Sequence, residues 1–389
     1  MRSFEPPRRI LMGPGPSDVS PRVLASLARP TIGHLDPAFQ GLMEEIKAAL
    51  ADVMNAPGYA CVPLPAPGTG AMEAALMNLL EPDDVAVVAV NGQFGERMVQ
   101  MAERAGAKVV RVDHDWGQPV DAGRVEAALK ANSAKVLAFV HAETSTGAKS
   151  DAKAICAVAR AHGALTVVDC VTSLGGIEVD VAGWDADAVY SGTQKCLSAP
   201  PGLAPFALSP RALAAISARK TPVRTWLFDV SLLMGYWSGE GGRTYHHTAP
   251  INALYGLHEA LVVLQEEGLE AAIARHRRVH EAFAAGIEAA GLSFLVDAAH
   301  RLPELNAVRI PDGIDEAAVR ARMLARYDLE IGAGLGPLRG KIWRIGLMGA
   351  SATPWHVRLC LTALTEALAA QNYPDVSRVA LAAADAKLG

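Results

Sequence analysis

The chain has 389 residues, of which 51% are apolar and 20% charged, a composition that excludes a disordered protein and allows two or three domains with sizeable cores. With 36 Lys and Arg against 41 Asp and Glu, the formal charge of -5 excludes a general electrostatic attraction to nucleic acid or to an anionic membrane. Any anion must therefore be held by a local site. The five cysteines, Cys61, Cys156, Cys170, Cys196 and Cys360, form no CxxC pair and point to a reducing compartment. The only apolar run before Gly13-Pro14, Ile10 to Met12, is three residues long, so no signal-peptide core is expected and the protein is placed in the cytoplasm. Aliphatic runs such as Val85 to Val90 fall well short of the roughly 20 residues that cross a bilayer.

In chain order, residues 1 to 35 carry GPGPSD and SP breaks and read as an extended arm. Phe39, Leu42, Met43, Ile46, Leu50 and Val53 repeat at helical spacing and predict a helix over Pro37 to Val53. Pro57, Pro63, Pro65 and Pro67 follow as a broken connection. From residue 68 to about 210, helices (71–80, 95–105, 120–131, 151–162) alternate with strands (85–90, 108–112, 135–140, 165–169), and further strands follow at 186–191 and 203–208. Continuously aliphatic strands between amphipathic helices predict an α/β fold with a mainly parallel sheet covered on both faces. Functional groups are then expected in loops at the carboxyl ends of the strands. A helical stretch from 251 to 290, broken near Gly268, leads to strands at 292–296, 305–310 and 342–346 and helices at 316–326 and 354–370. This order predicts three units: an arm (1–35), a large domain (36–265) and a small α+β domain (266–389).

Three stretches suggest chemistry. In Tyr190-Ser-Gly-Thr-Gln-Lys195-Cys-Leu-Ser-Ala-Pro-Pro-Gly202, a lysine follows a short buried strand among small residues. Either it is a buried amine of lowered pKa, fit to form a Schiff base, or it is a surface lysine in a proline-rich loop. Asp169 ends an aliphatic strand, where its carboxylate needs either a cation, such as a protonated pyridine nitrogen, or a capping role through Thr172 or Ser173. Pro67-Gly68-Thr69-Gly70 opens a helix and offers backbone N–H groups to a phosphate, or is an ordinary turn. Glu73 occupies the third-glycine position of a dinucleotide fingerprint, and no clear strand precedes the turn, so a nicotinamide site is disfavoured.

Taken together, PGTGAMEAAL, NGQFGER, ETSTG, VVDCVTSLGG, YSGTQKCLSAPPG, YHHTAP and KIWRIGLMG resemble the class V pyridoxal-phosphate aminotransferases, in particular the alanine–glyoxylate and serine–glyoxylate enzymes. The resemblance runs from about Leu11 to Ala370. It implies the fold type I architecture, with a mainly parallel seven-stranded sheet and a smaller carboxyl-terminal domain, and a homodimer with shared active sites. It further implies that Lys195 carries pyridoxal 5'-phosphate as a Schiff base and moves the substrate proton. Asp169 would pair with the pyridine nitrogen and Thr144 would lie near the ring hydroxyl. Gly68, Thr69 and Gln194 match phosphate-binding positions, completed by Tyr245 and Thr248 of the neighbouring subunit. Phe94 takes the place of the tryptophan usual over the cofactor ring, and Val171 packs on its other face.

Arg344 lies between apolar strand neighbours, so its guanidinium needs an anion: the substrate carboxylate by the resemblance, a structural ion pair otherwise. Thr31-Ile-Gly33-His34 resembles the arm bordering the substrate pocket, where His34 would favour a substrate hydroxyl or is a plain loop residue. His246 and His247 are expected to point apart and to bind no metal. No second arginine falls in a matched motif, so alanine or serine suits as donor better than an acidic amino acid, with glyoxylate as acceptor. Pyridoxamine–pyruvate and ureidoglycine–glyoxylate aminotransferases share these motifs and remain alternatives. From other classes, a nicotinamide-dependent dehydrogenase and a non-enzymatic cofactor-binding protein also remain.

Overall fold

The computed structural model describes residues 1–237 and 243–389. Seven strands form the central sheet: β1 (Ala60–Leu64), β2 (Val85–Val90), β3 (Lys108–Asp113), β4 (Val136–Val140), β5 (Leu165–Asp169), β6 (Ala188–Tyr190) and β7 (Ala204–Leu208). Their order across the sheet is β1-β7-β6-β5-β4-β2-β3. Strands β3, β2, β4, β5 and β6 run parallel, because helices carry the chain back between most of them. Strand β7 runs antiparallel to both β6 and β1. The β6–β7 connection contains no helix, so it returns the chain on the same end of the sheet, and this return loop contains Lys195.

Strand β1 lies in the stretch that sequence reading treats as a broken connection, and it directly precedes the Gly68 turn. The expectation that no strand stands before that turn is corrected. Pro63 obscures the strand, but an edge position tolerates proline because one side of the strand has no partner to receive a donor. The arm is likewise not extended throughout. It contains a helix over Pro21–Leu27, which starts at a proline suited to a first helical turn. This helix packs on the helix Ile251–Glu267, where a Cβ at Gly256 would stand 2.7 Å from Leu27. Arg22 and Arg29 meet Glu259 there at 2.8 and 3.1 Å.

The predicted helical break is found at Gly268, whose φ of +87° favours glycine. Beyond it, β8 (Leu305–Arg309) and β9 (Gly332–Ala333) flank β10 (Ile342–Gly346) in an antiparallel sheet. The strand expected over 292–296 is reduced to a single bridge at Phe294, with bonds from Leu295 N to Ala307 O and from Arg309 N to Ser293 O at 2.9 and 2.8 Å. Its alternating buried side chains mimic a full strand. Helices over Pro210–Ser217, Val230–Trp237 and Ser377–Leu388 were not foreseen. Apolar burial forms two main cores: one around the seven-stranded sheet, including Leu264 and Ala272, the other from Val279 onward and including Met12 of the arm. Among the described residues, no helix is long and apolar enough to cross a membrane.

Candidate active site

The carboxyl ends of β2, β4, β5 and β6 converge on one region. Lys195 is held there by a loop that bonds to itself: Thr193 Oγ1 donates to Pro200 O at 2.6 Å, and Ser198 N donates to Lys195 O at 3.0 Å. The lysine is only 6% exposed, and its Nζ donates to Pro14 O. Burial, aided by the nearby Arg344 cation, lowers the amine to about 8. The surface-lysine alternative is excluded.

Asp169 is the last residue of β5 and is buried. Its carboxylate accepts from Val171 N at 2.8 Å and from the Tyr190 hydroxyl at 2.9 Å. The turn role therefore runs through Val171 rather than through Thr172 or Ser173. Burial pushes the carboxyl up to about 6, opposed by those two hydrogen bonds and by the charges of Lys195 and Arg97. Among the described residues, no salt bridge reaches Asp169. A buried carboxylate with two neutral donors is suited to a cationic partner.

Gly68 opens the helix Gly68–Leu79, and a Cβ on it would stand 2.8 Å from Val171 Cγ2 and 3.4 Å from Ser191 O. The close approach of three segments thus requires glycine. Thr69 Oγ1 accepts from Arg97 Nη1 at 2.8 Å, and the Arg97 guanidinium lies 4.8 Å from the centroid of the Phe94 ring. Gln194 Oε1 is buried without a partner. Thr144 is buried with its hydroxyl bonded to that of Thr172.

Phe94 sits at the start of the helix Gln93–Ala105, whose first N–H groups are capped from another element. Phe94 N donates to Glu143 Oε2 at 3.2 Å, Gln93 N to Ser145 Oγ at 2.9 Å, and Ser145 Oγ to Glu143 Oε1 at 2.6 Å. Burial raises the Glu143 carboxyl. Glu143 and Arg97 both fall inside motifs singled out from the sequence, ETSTG and NGQFGER, yet neither was assigned a part.

Arg344 occupies the middle of β10 and is 7% exposed. Its Nε donates to Ala333 O at 2.7 Å and its Nη1 to Thr144 O at 3.4 Å, while no carboxylate pairs with it among the described residues. Burial lowers the guanidinium to about 10, with Glu143 acting against that shift. The structural ion pair considered from sequence is not found among the described residues.

A second cluster lies at the surface. Tyr245 is 66% exposed, its hydroxyl stands 3.3 Å from Thr248 Oγ1, and its ring lies 5.6 Å from that of His34. Gly33 is exposed beside it. Among the described residues, no hydrogen bond joins this group to Lys195 or Asp169. His246 and His247 do not point apart: their Nδ1 atoms are 2.8 Å from each other, and the His246 ring stacks on Trp226 with centroids 4.4 Å apart. Cys196 is buried, with its thiol pushed well up by that burial.

The family model for class V aminotransferases matches residues 21–338. The solved structure of a ureidoglycine–glyoxylate aminotransferase from Bacillus subtilis is 39% identical, with a TM-score of 0.97 over the whole of both chains. That of an alanine–glyoxylate aminotransferase from Nostoc sp. is 42% identical, with a TM-score of 0.93 over 95% of this chain and 97% of that one. The alanine–glyoxylate aminotransferase of Drosophila melanogaster is 37% identical over 93% of each chain. The chain belongs to the class V aminotransferases and has their fold type I architecture. It is an aminotransferase, and the cofactor of its family is pyridoxal phosphate. The residues present suit that group: a buried amine of lowered pKa, a buried carboxylate lacking a cation, a glycine with no space for a side chain and an unpartnered buried amide oxygen.

Proposed function

We propose that the protein transfers an amino group from a small neutral amino acid, alanine or serine, to glyoxylate in two half-reactions. The observation that carries this reading is a buried guanidinium, Arg344, with no carboxylate partner among the described residues, in the same site as the buried amine of Lys195. Pyridoxal phosphate, when bound, supplies an electron sink that stabilises charge at the substrate α-carbon. Lys195 would hold that cofactor and, once released, move a proton at the α-carbon, a task suited to an amine near pH 8. Asp169 would keep the ring nitrogen protonated. Gly68, Thr69 and Gln194 would cradle the phosphate, Phe94 and Val171 would sandwich the ring, and Thr144 would meet its hydroxyl. Arg344 would take the substrate carboxylate in a bidentate fork.

The exposed Tyr245 and Thr248, with Trp226 61% exposed and stacked on His246 and Leu35 54% exposed next to His34, whose ring meets Tyr245, support a homodimer in which each subunit completes its neighbour's phosphate site. Gly33 and His34 would border the substrate pocket from that cluster. Five buried free cysteines support a reducing, cytoplasmic location. The catalytic groups would be divided between a large domain over 36–265, preceded by the arm, and a small domain over 266–389. The class V match sets aside the dehydrogenase and the non-enzymatic alternatives.

A ureidoglycine donor is the second reading, favoured by the TM-score of 0.97 to the Bacillus enzyme. Incubating the cofactor-loaded protein with alanine, serine or ureidoglycine, each with glyoxylate, and identifying the products separates the two. Glycine formed with alanine or serine supports the first reading. Glycine formed with ureidoglycine alone replaces it.

A further inference from the structure

Before the helix Pro21–Leu27, the arm forms a closed loop whose tip rests on Lys195. At the base, Leu11 N donates to Asp18 Oδ1 at 2.9 Å, Ser351 Oγ donates to Leu11 O at 2.9 Å, and Asp18 N donates to Ser351 Oγ at 3.1 Å. Asp18 Oδ2 also stands 3.1 Å from His356 Nε2, on the helix Pro354–Ala369. The base is thus fastened to elements of the second core. At the tip, Pro14 O accepts from Lys195 Nζ, Ser17 Oγ donates to Lys195 O at 2.7 Å, and Ser17 N donates to Gln194 O at 2.9 Å. Gly15 has a φ of +99°, and a Cβ there would stand 2.7 Å from Lys195 Cδ. The arm's backbone therefore lies directly on the lysine side chain.

We propose that Asp18 is a positioning residue for Lys195: by closing the loop Leu11–Asp18 against Ser351 and His356, it holds the Pro14 carbonyl where it receives the lysine amine whenever that amine is free. The inference rests on the reading of Lys195 as the cofactor-bearing lysine. A four-carbon side chain has many rotamers, and a fixed acceptor in a buried site selects one of them. A proton-transfer group must be placed closely, and a displacement of roughly 1 Å costs on the order of a hundredfold in rate. The arm consequently links the position of the second core to the position of the reacting amine.

The test uses the full chain as wild type, Asp18→Ala, Asp18→Asn and Ser351→Ala. Wild type is first titrated with pyridoxal phosphate, and failure to form a lysine-bound absorption band overturns the Lys195 reading and this inference with it. With the band present, two quantities are compared: the rate at which the amino donor that converts wild type bleaches the band, and the pH midpoint for pyridoxal phosphate capture by cofactor-stripped protein. Asp18→Ala should slow bleaching by about tenfold or more while cofactor affinity stays within about threefold. The capture midpoint should move to lower pH, since the ammonium form loses an acceptor. Arg344, Asp169, Glu143, Cys196 and Glu304 act on the amine in every variant and cancel in the comparison. Asp18→Asn, which retains an acceptor for Leu11 N, should recover most of the rate, and Ser351→Ala should show a smaller loss of the same kind. If Asp18→Ala does not fold, Ser351→Ala carries the comparison. Unchanged bleaching and midpoint, or bleaching and cofactor affinity falling together, overturn the Asp18 inference and leave the Lys195 reading intact.

Discussion

The Tyr190 hydroxyl donates to Asp169 Oδ2 at 2.9 Å, and the two residues are register partners on adjacent parallel strands, β5 and β6. Their side chains therefore leave the sheet on the same face, and the phenol offsets part of the burial that raises the carboxyl to about 6. Tyr190→Phe should push the Asp169 carboxyl higher still. Near neutral pH a larger fraction would then be protonated, and pyridoxal phosphate should bind about tenfold more weakly, as expected for losing a buried hydrogen bond to a charged group. The loss should deepen as pH falls toward 6. Cofactor titration by absorbance at several pH values checks this.

Gly68→Ala is expected to weaken cofactor binding by about tenfold or more, because its Cβ would stand 2.8 Å from Val171 Cγ2 and displace either the helix start or the ring-packing valine. The equilibrium constant for pyridoxal phosphate measures the effect. An unchanged constant would show that the approach of the Gly68 turn to Val171 is not needed for the phosphate cradle.

Much of this arrangement was legible before the structure. The parallel strands were readable because they are continuously aliphatic, and from them followed the placement of Asp169 at the end of β5 and of Lys195 in the loop after β6. Strand β1 was not, since Pro63 and its neighbouring prolines have the composition of a loop, and only pairing with β7 makes them a sheet edge. The arm helix was hidden by a proline that starts it. Tyr190, Glu143, Arg97 and Asp18 could not be assigned parts, because each acts on a residue distant in sequence through a contact that only the fold creates. The contact between the adjacent histidines departs from the sequence expectation, and a partner such as Trp226, 20 residues upstream of His246, is not visible from local spacing.

Glu143→Gln tests the cap on the Phe94 helix. The amide oxygen can still accept one N–H, but Glu143 now joins Phe94 N, Ser145 N and Ser145 Oγ, and its charge supports the Arg344 guanidinium. A rise of several-fold in the KM for the amino donor is expected, together with weaker cofactor retention. Steady-state kinetics and dialysis of the loaded protein report the two effects separately.

Glu304, whose charge is felt by the Lys195 amine, provides a stability test. Both of its carboxyl oxygens are buried without partners among the described residues, and burial raises the group from 4.5 to about 8. A carboxyl with a raised folded pKa binds more protons when folded than when unfolded, so stability should fall as pH rises between about 4.5 and 8. Glu304→Gln should remove that slope, so that its stability relative to wild type improves as pH rises from 5 to 7. Denaturant melts of both proteins at pH 5 and pH 7 show whether the difference grows with pH.

Arg344→Ala should raise the donor KM by a hundredfold or more, about 3 kcal/mol for a charge-assisted fork, and should move the pH midpoint for pyridoxal phosphate capture upward, since the cation that helps lower the Lys195 amine is lost. Arg344→Lys should recover only part of the loss, since an ammonium cannot reproduce the planar fork.

The central claim, that Lys195 carries the cofactor, is tested most directly by borohydride reduction of the protein loaded with pyridoxal phosphate, followed by peptide mass mapping. The account predicts one stable phosphopyridoxyl group, on Lys195, that is absent when an amino donor is added before the reductant. A group fixed on another lysine, or none fixed at all, would contradict it.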